Sequence, residues 1–151
     1  MFRDRDEAAT RLVEKLTAYQ GKNPLILAIP RGAVPMARVI AERLGGEFDV
    51  VLVRKLRAPM QSELAIGSID ESGWTYIAPF AASVGADAEY IAAEKRAQMD
   101  TIRKRRTQYT PIRPSIDPAG RIVIVVDDGL ATGATMISAL HGLRGRKPAR
   151  L

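Results

Sequence analysis

Apolar residues along this chain fall into short unbroken runs and helix-spaced stripes, and the two alternate. Ala9, Leu12, Val13 and Leu16 recur at the spacing of one helical face and predict a helix over 6–19. Gly21 and Asn23-Pro24 break that pattern. The run Leu-Ile-Leu-Ala-Ile at 25–29 suits a strand covered on both faces, and Pro30-Arg31-Gly32 punctuates it. Helical spacing returns with Val34, Ala37, Ile40, Ala41 and Leu44, predicting a helix over 33–44 that Gly45-Gly46 stops. The run Val-Val-Leu-Val at 50–53 predicts a second buried strand. Residues 25–53 therefore spell β-α-β, which implies two parallel strands.

Beyond this unit the pattern loosens. Residues 56–61, with Arg57 and Pro59, read as a loop, and 65–69 and 75–78 flank Glu71-Ser72-Gly73 as a small hairpin. The stretch 86–108, rich in Ala, Glu, Lys, Arg and Gln, predicts the longest helix. Pro111, Pro114 and Pro118 make a stiff connector, 121–126 is the strongest strand signal, and a helix follows over 134–143. Apolar strands alternating with helices predict an α/β fold, doubly wound around a mainly parallel sheet, with a small hairpin excursion. At 151 residues one domain is expected over 1–151. The chain stops at Lys147-Pro148-Ala149-Arg150-Leu151, where the alternation calls for another strand, so the reading is of a domain short of its C-terminal strands.

Composition removes several classes of function. There are no cysteines, so disulfides, thiolate nucleophiles and Cys-containing zinc sites are excluded. No apolar run approaches the ~20 residues needed to cross a bilayer, and Met1-Phe2-Arg3-Asp4-Arg5 leads into no signal-type apolar segment. A cytoplasmic setting without a membrane partner fits. The formal net charge of +6 points to an anionic partner, either nucleic acid or a small polyphosphate. Lys95, Arg96, Arg103, Lys104, Arg105 and Arg106 form one basic cluster, read here as a solvated helix face.

The chemistry concentrates in one segment. Val123-Ile124-Val125-Val126 runs directly into Asp127-Asp128, then into Gly129-Leu130-Ala131-Thr132-Gly133-Ala134-Thr135. A buried strand thus delivers two carboxylates at its carboxyl end, where open α/β sheets bind ligands. The small residues Ala131, Thr132, Gly133, Ala134 and Thr135 let backbone N–H groups approach an oxyanion at a helix N-terminus. Carboxylates would repel a bare phosphate, so they need diol hydroxyls or a divalent cation. A ribose 5-phosphate offers both features. Neither a Walker A loop nor a G-x-G-x-x-G fingerprint is present.

This segment resembles the PRPP-binding motif of the type I phosphoribosyltransferases: four apolar residues, two acids, a short spacer, then Thr-Gly-x-Thr. The resemblance extends along the chain through Phe2-Arg3-Asp4-Arg5, Arg54-Lys55-Leu56 and Glu63-Leu64-Ala65-Ile66-Gly67 to a bacterial subgroup of phosphoribosyltransferase-domain proteins. It implies 5-phosphoribosyl 1-pyrophosphate (PRPP) and Mg²⁺ as ligands, and transfer of the phosphoribosyl group to a nitrogenous, nucleobase-like acceptor. Asp127 and Asp128 would take the ribose hydroxyls, and Ala131, Thr132, Gly133, Ala134 and Thr135 the 5′-phosphate. Arg31, Gly32 and Lys55 would meet the pyrophosphate, with Mg²⁺ held mainly by PRPP and water rather than by direct protein ligands. Residues 57–68 occupy the place of the family's flexible catalytic loop. No general base is assigned. Ala131 stands where the 6-oxopurine branch has an acid, which argues against that acceptor, and the family's base-recognising hood has no counterpart here. His141 reads as a surface or packing residue, and Trp74 and Tyr76 as residues able to stack on a base. A non-catalytic PRPP-sensing or regulatory module is the alternative, with nucleic acid a possible but not favoured partner; a homodimer is possible.

Overall fold

The computed structural model describes residues 1–111, 113–131 and 133–151. Its centre is a parallel sheet of β1 (Leu25–Ala28), β2 (Glu47–Val50) and β6 (Val123–Val126), in the order β2-β1-β6. All four residues of β1 are buried, as expected for the middle strand of a sheet covered on both faces. Alternate side chains serve opposite layers. Ile26 and Ala28 pack with α1 (Arg5–Lys15) and α2 (Val34–Leu44), while Leu25 and Leu27 join Ala139 and Leu143 of α4 (Ala134–Gly145). Full burial of each such Leu or Ile contributes roughly 1.5–3 kcal/mol. The α/β, doubly wound expectation holds.

Local signals account for the helix ends. Asp4 caps α1, its carboxylate accepting the Glu7 N–H at 2.8 Å, and Asp87 caps α3 (Ala88–Tyr109) by accepting from Tyr90 at 2.8 Å. Pro35 sits in the first turn of α2, and Gly45, at φ 69°, ends that helix in the left-handed conformation that L side chains avoid.

The hairpin is larger than the sequence suggested. A second, antiparallel sheet is built from β3 (Val53–Arg57), β4 (Ala65–Asp70) and β5 (Thr75–Ile77). The apolar run at 50–53 is therefore not one strand. β2 ends at Val50, Val51 and Leu52 cross between the sheets at 5% and 3% exposure, and β3 begins at Val53. Continuous burial, rather than continuous pairing, kept that run apolar. Leu56 and Arg57, read as loop, complete β3, and only 58–64 connect it to β4. Of the segment expected as a flexible loop, Arg57 and 65–68 are strand, and 58–64 form the connector between β3 and β4.

Helix α3 docks on the antiparallel sheet through a polar stripe. Glu94, Gln98 and Ile102, spaced by four, are its buried residues. Glu94 accepts from the Arg57 N–H (3.1 Å) and from Gln98 Nε2 (2.9 Å), while Gln98 Oε1 accepts from Arg54 Nε (3.0 Å). Burial alone would push the Glu94 carboxyl up, but these donors hold it below its ordinary value. Arg106 departs from the solvated basic face. It turns inward to buried Asp49 (2.8 Å), to Glu71, and to the Val50 carbonyl (2.9 Å). Past α4 the chain returns beside β6, where Arg150 bridges Ile122 in parallel register.

Candidate functional site

Asp127 and Asp128 emerge from the carboxyl end of β6, beside the carboxyl end of β1, with which that strand is paired in parallel. Their backbone turns at once, the Asp128 N–H donating to Asp127 Oδ1 at 2.8 Å. The loop after β1 closes on them from the neighbouring strand. A Cβ on Gly32 would lie 1.9 Å from Asp128 Oδ2, so only glycine lets that backbone reach the carboxylate. Arg31, next to it, is exposed, and the Pro30–Arg31 peptide bond is cis.

The third contact on Asp128 was not visible in sequence. Arg5, in the first turn of α1, donates to Asp128 Oδ2 from Nη2 at 2.7 Å and from Nε at 3.1 Å. This guanidinium outweighs the opposing desolvation and holds the Asp128 carboxyl below the usual carboxylate value. The two carboxylates line a cleft of about 790 Å³ together with Phe2, Arg3, Asp4, Arg5 and Asp6. The resemblance takes in Phe2-Arg3-Asp4-Arg5, but nothing local in that run points 123 residues ahead to Asp128.

Downstream, Gly133 at φ 79° is the N-cap of α4, so the helix opens without a side-chain cap, directly after the small-residue loop. Thr132 lies outside the described residues. Ala134 and Thr135, at the first turn, line a second cavity of about 410 Å³ shared with Lys55, Ser68, Tyr76, Phe80 and Ile137. Lys55 is exposed and lies within β3, not beyond a strand end as expected. The residues singled out in the sequence thus gather in two groups. Gly32, Asp127 and Asp128 touch at one sheet end, and Lys55, Ala134 and Thr135 share the apolar cavity. Tyr76 faces that cavity, but Trp74 is stacked on His141 with ring centroids 5.2 Å apart and planes 2° from parallel. His141 therefore packs, as the sequence reading preferred.

A strand-borne acid pair, a glycine loop pressed on it and an adjacent helix N-terminus form an arrangement able to hold a hydroxylated, phosphorylated ligand. The phosphoribosyl transferase domain model matches residues 1–151. The chain belongs to that family. A Mycobacterium tuberculosis protein named "Putative phosphoribosyl transferase" is 38% identical over 145 residues, covering 95% of this chain and 33% of the relative. This phosphoribosyl transferase domain thus spans about a third of that curated relative. An adenine phosphoribosyltransferase of Rhodospirillum centenum is 32% identical over 92 residues, 58% of this chain and 53% of its own. Among solved structures, TT1426 of Thermus thermophilus superposes with TM-score 0.81 at 44% identity, over 97% of this chain and 70% of that one. A hypoxanthine phosphoribosyltransferase of Staphylococcus aureus, at TM-score 0.55 and 18% identity over 98% and 59%, shares the fold alone. The α/β fold is that of the type I phosphoribosyltransferases.

Proposed function

We propose that this domain binds PRPP with Mg²⁺ and transfers its phosphoribosyl group to a nitrogenous, nucleobase-like acceptor, releasing pyrophosphate. The observation that carries this reading is the contact of Gly32 with Asp128. It brings the loop assigned to pyrophosphate against the carboxylate assigned to ribose, at the ligand-binding end of the sheet. Asp127 and Asp128 accept hydrogen bonds from the ribose diol. Ala131, Thr132, Gly133, Ala134 and Thr135 hold the 5′-phosphate with the partial positive charge at the start of α4. Arg31, the Gly32 backbone and Lys55 take the pyrophosphate.

In the reaction the bond from C1 to the pyrophosphate oxygen breaks and a bond from C1 to an acceptor nitrogen forms. The chain's residues orient the ribose and neutralise the leaving group. Mg²⁺ is assigned to the phosphate oxygens of PRPP and to water rather than to a protein cage. Bound there, Mg²⁺ would offset charge on the pyrophosphate. The cavity beneath Tyr76 and Phe80, with Lys55 on its wall, suits a flat acceptor ring.

A thermal-shift titration with PRPP and Mg²⁺ tests the reading. Ligand at ~100 times its dissociation constant stabilises the folded chain by about 2.7 kcal/mol. That shift is expected in the parent and is absent from Asp127→Asn/Asp128→Asn; a well-folded parent with no shift refutes the assignment.

A further inference from the structure

Arg5, at the carboxylate end of the sheet, has no role in the proposed function. Its guanidinium directs two donors, Nε and Nη2, onto a single oxygen, Asp128 Oδ2. The segment that carries it is itself tied down. Asp4 caps α1 through the Glu7 N–H, and Glu7 in turn accepts from the Arg3 N–H (2.8 Å), Arg3 Nε (3.1 Å) and Arg11 Nη2 (2.9 Å). On its other side the same Asp128 oxygen abuts Gly32, where a Cβ could not be accommodated. Asp128 is thus gripped by three separate segments: its own strand end, the glycine loop after β1 and the first turn of α1.

We propose that Arg5 is a positioning residue of the ribose site: by holding Oδ2 it fixes the Asp128 carboxylate so that Oδ1 is presented to a ribose hydroxyl. This inference rests on the PRPP reading above. A carboxylate free to rotate loses orientation each time it meets a diol; one pinned through a guanidinium is ordered before the ligand arrives. The charge matters as well as the geometry. The groups around Asp128 are Arg5 from α1, Asp127 beside it, Arg31 preceding Gly32, and Arg3, Asp4 and Asp6, which line the same cleft. The Arg5 guanidinium favours the ionised form of the Asp128 carboxyl, in keeping with its lowered value.

The experiment has two parts. Without ligand, carboxyl-carbon NMR follows the Asp128 titration, identified by its loss in Asp128→Asn. In the parent it titrates below the ordinary range, and in Arg5→Gln it moves up toward about 3.9. With PRPP and Mg²⁺ at pH 7, calorimetry gives dissociation constants for the parent, Arg5→Gln, Asp128→Asn and the double variant. Losing the two charge-assisted hydrogen bonds that order the site should weaken binding roughly tenfold in Arg5→Gln, and less than about twofold further when Asp128 is already Asn. Arg5→Lys, which keeps the charge, should recover part of the loss and serves as the test if Arg5→Gln does not melt cooperatively. If the parent binds PRPP but the two substitutions are additive, or Arg5→Gln binds as the parent does, the positioning role is overturned while the PRPP reading stands. If the parent does not bind PRPP even though Asp128 responds to Arg5→Gln, the PRPP reading falls, and the positioning role falls with it.

Discussion

At Gly32 the missing side chain decides the site. Gly32→Ala places a methyl group 1.9 Å from Asp128 Oδ2, and that carboxylate cannot swing aside without breaking its 2.7 Å contact with Arg5. Because Arg5 and Asp128 are largely or partly exposed, displacing that pair costs about 1 kcal/mol or less. We expect Gly32→Ala to melt earlier and to lose its thermal response to PRPP. Gly129→Ala, with nothing within 4 Å of the added carbon, should melt within about 0.5 kcal/mol of the parent. Differential scanning fluorimetry on the two variants separates a steric effect from a general intolerance of change near the acids. Asp127 and Asp128 could be read from the sequence because an apolar run delivers them and a loop of small residues follows. Gly32 could be read as a turn residue, but not as the floor beneath Asp128. Arg5 falls within the resemblance, but its partner could not be read, since a pair bridging 123 residues leaves no local pattern.

Among the elements, sequence reading succeeded where burial is apolar and failed where it is polar or where a run crosses from one sheet to another. β1 and β6 were plain because both faces are covered by hydrocarbon. The start of β2 was hidden because Glu47 and Phe48 are exposed on a sheet edge, and the docking face of α3 because its buried positions include Glu94 and Gln98. The tie between β2, α3 and the proline connector is Asp49, 3% exposed. It accepts from the N–H groups of Val50 (2.8 Å) and Ile116 (2.9 Å), from Arg106 (2.8 Å) and from Arg113 (3.2 Å). Burial pushes this carboxyl up, yet the backbone donors and Arg106 prevail and its value lies below the ordinary one. A depressed folded value contributes stability that is present above the unfolded value of about 3.9 and is lost as pH falls through the folded one. Asp49→Asn, which leaves Arg106 and Arg113 short of a charge partner, should cost on the order of 3 kcal/mol at pH 7. Urea melts from pH 7 down to about pH 2.5 should also show a flatter stability profile below pH 4 than the parent. Equal stability at pH 7 would show that Asp49 does not clamp these elements together.

Over the whole molecule, α4 is a part common to both sheets. One side of it, Ala139 and Leu143, packs on the parallel sheet. Toward the antiparallel sheet, Ser138 hydrogen-bonds Ser68 at 2.6 Å, His141 stacks on Trp74, and Gly142 lies against buried Asp70. Asp70 cannot retreat freely, because its Oδ1 accepts from Ser72 Oγ (2.6 Å), the Ser72 N–H (3.0 Å) and the Trp74 N–H (2.9 Å) that shape the β4–β5 turn. A Cβ at Gly142 would sit 1.8 Å from Asp70 Oδ2. Gly142→Ala therefore wedges α4 away from β4 while leaving the Ala139 and Leu143 contacts in place. The helical propensity gained by replacing glycine, at most about 1 kcal/mol, opposes a clash costing about 1–3 kcal/mol, so net destabilisation is expected. Native-state hydrogen exchange locates it. In the parent, amides of β1 and β4 should open at similar free energies, as one cooperative unit joined through α4. In Gly142→Ala, β4 and β5 should open earlier than β1. Since Lys55, Ser68 and Tyr76 on the antiparallel sheet share a cavity with Ala134 and Thr135 of α4, the same wedge should disturb that cavity while leaving the Arg5–Asp128 contact intact. Equal loss of protection across both sheets would show that the whole fold had weakened, and that α4 does not transmit packing between them.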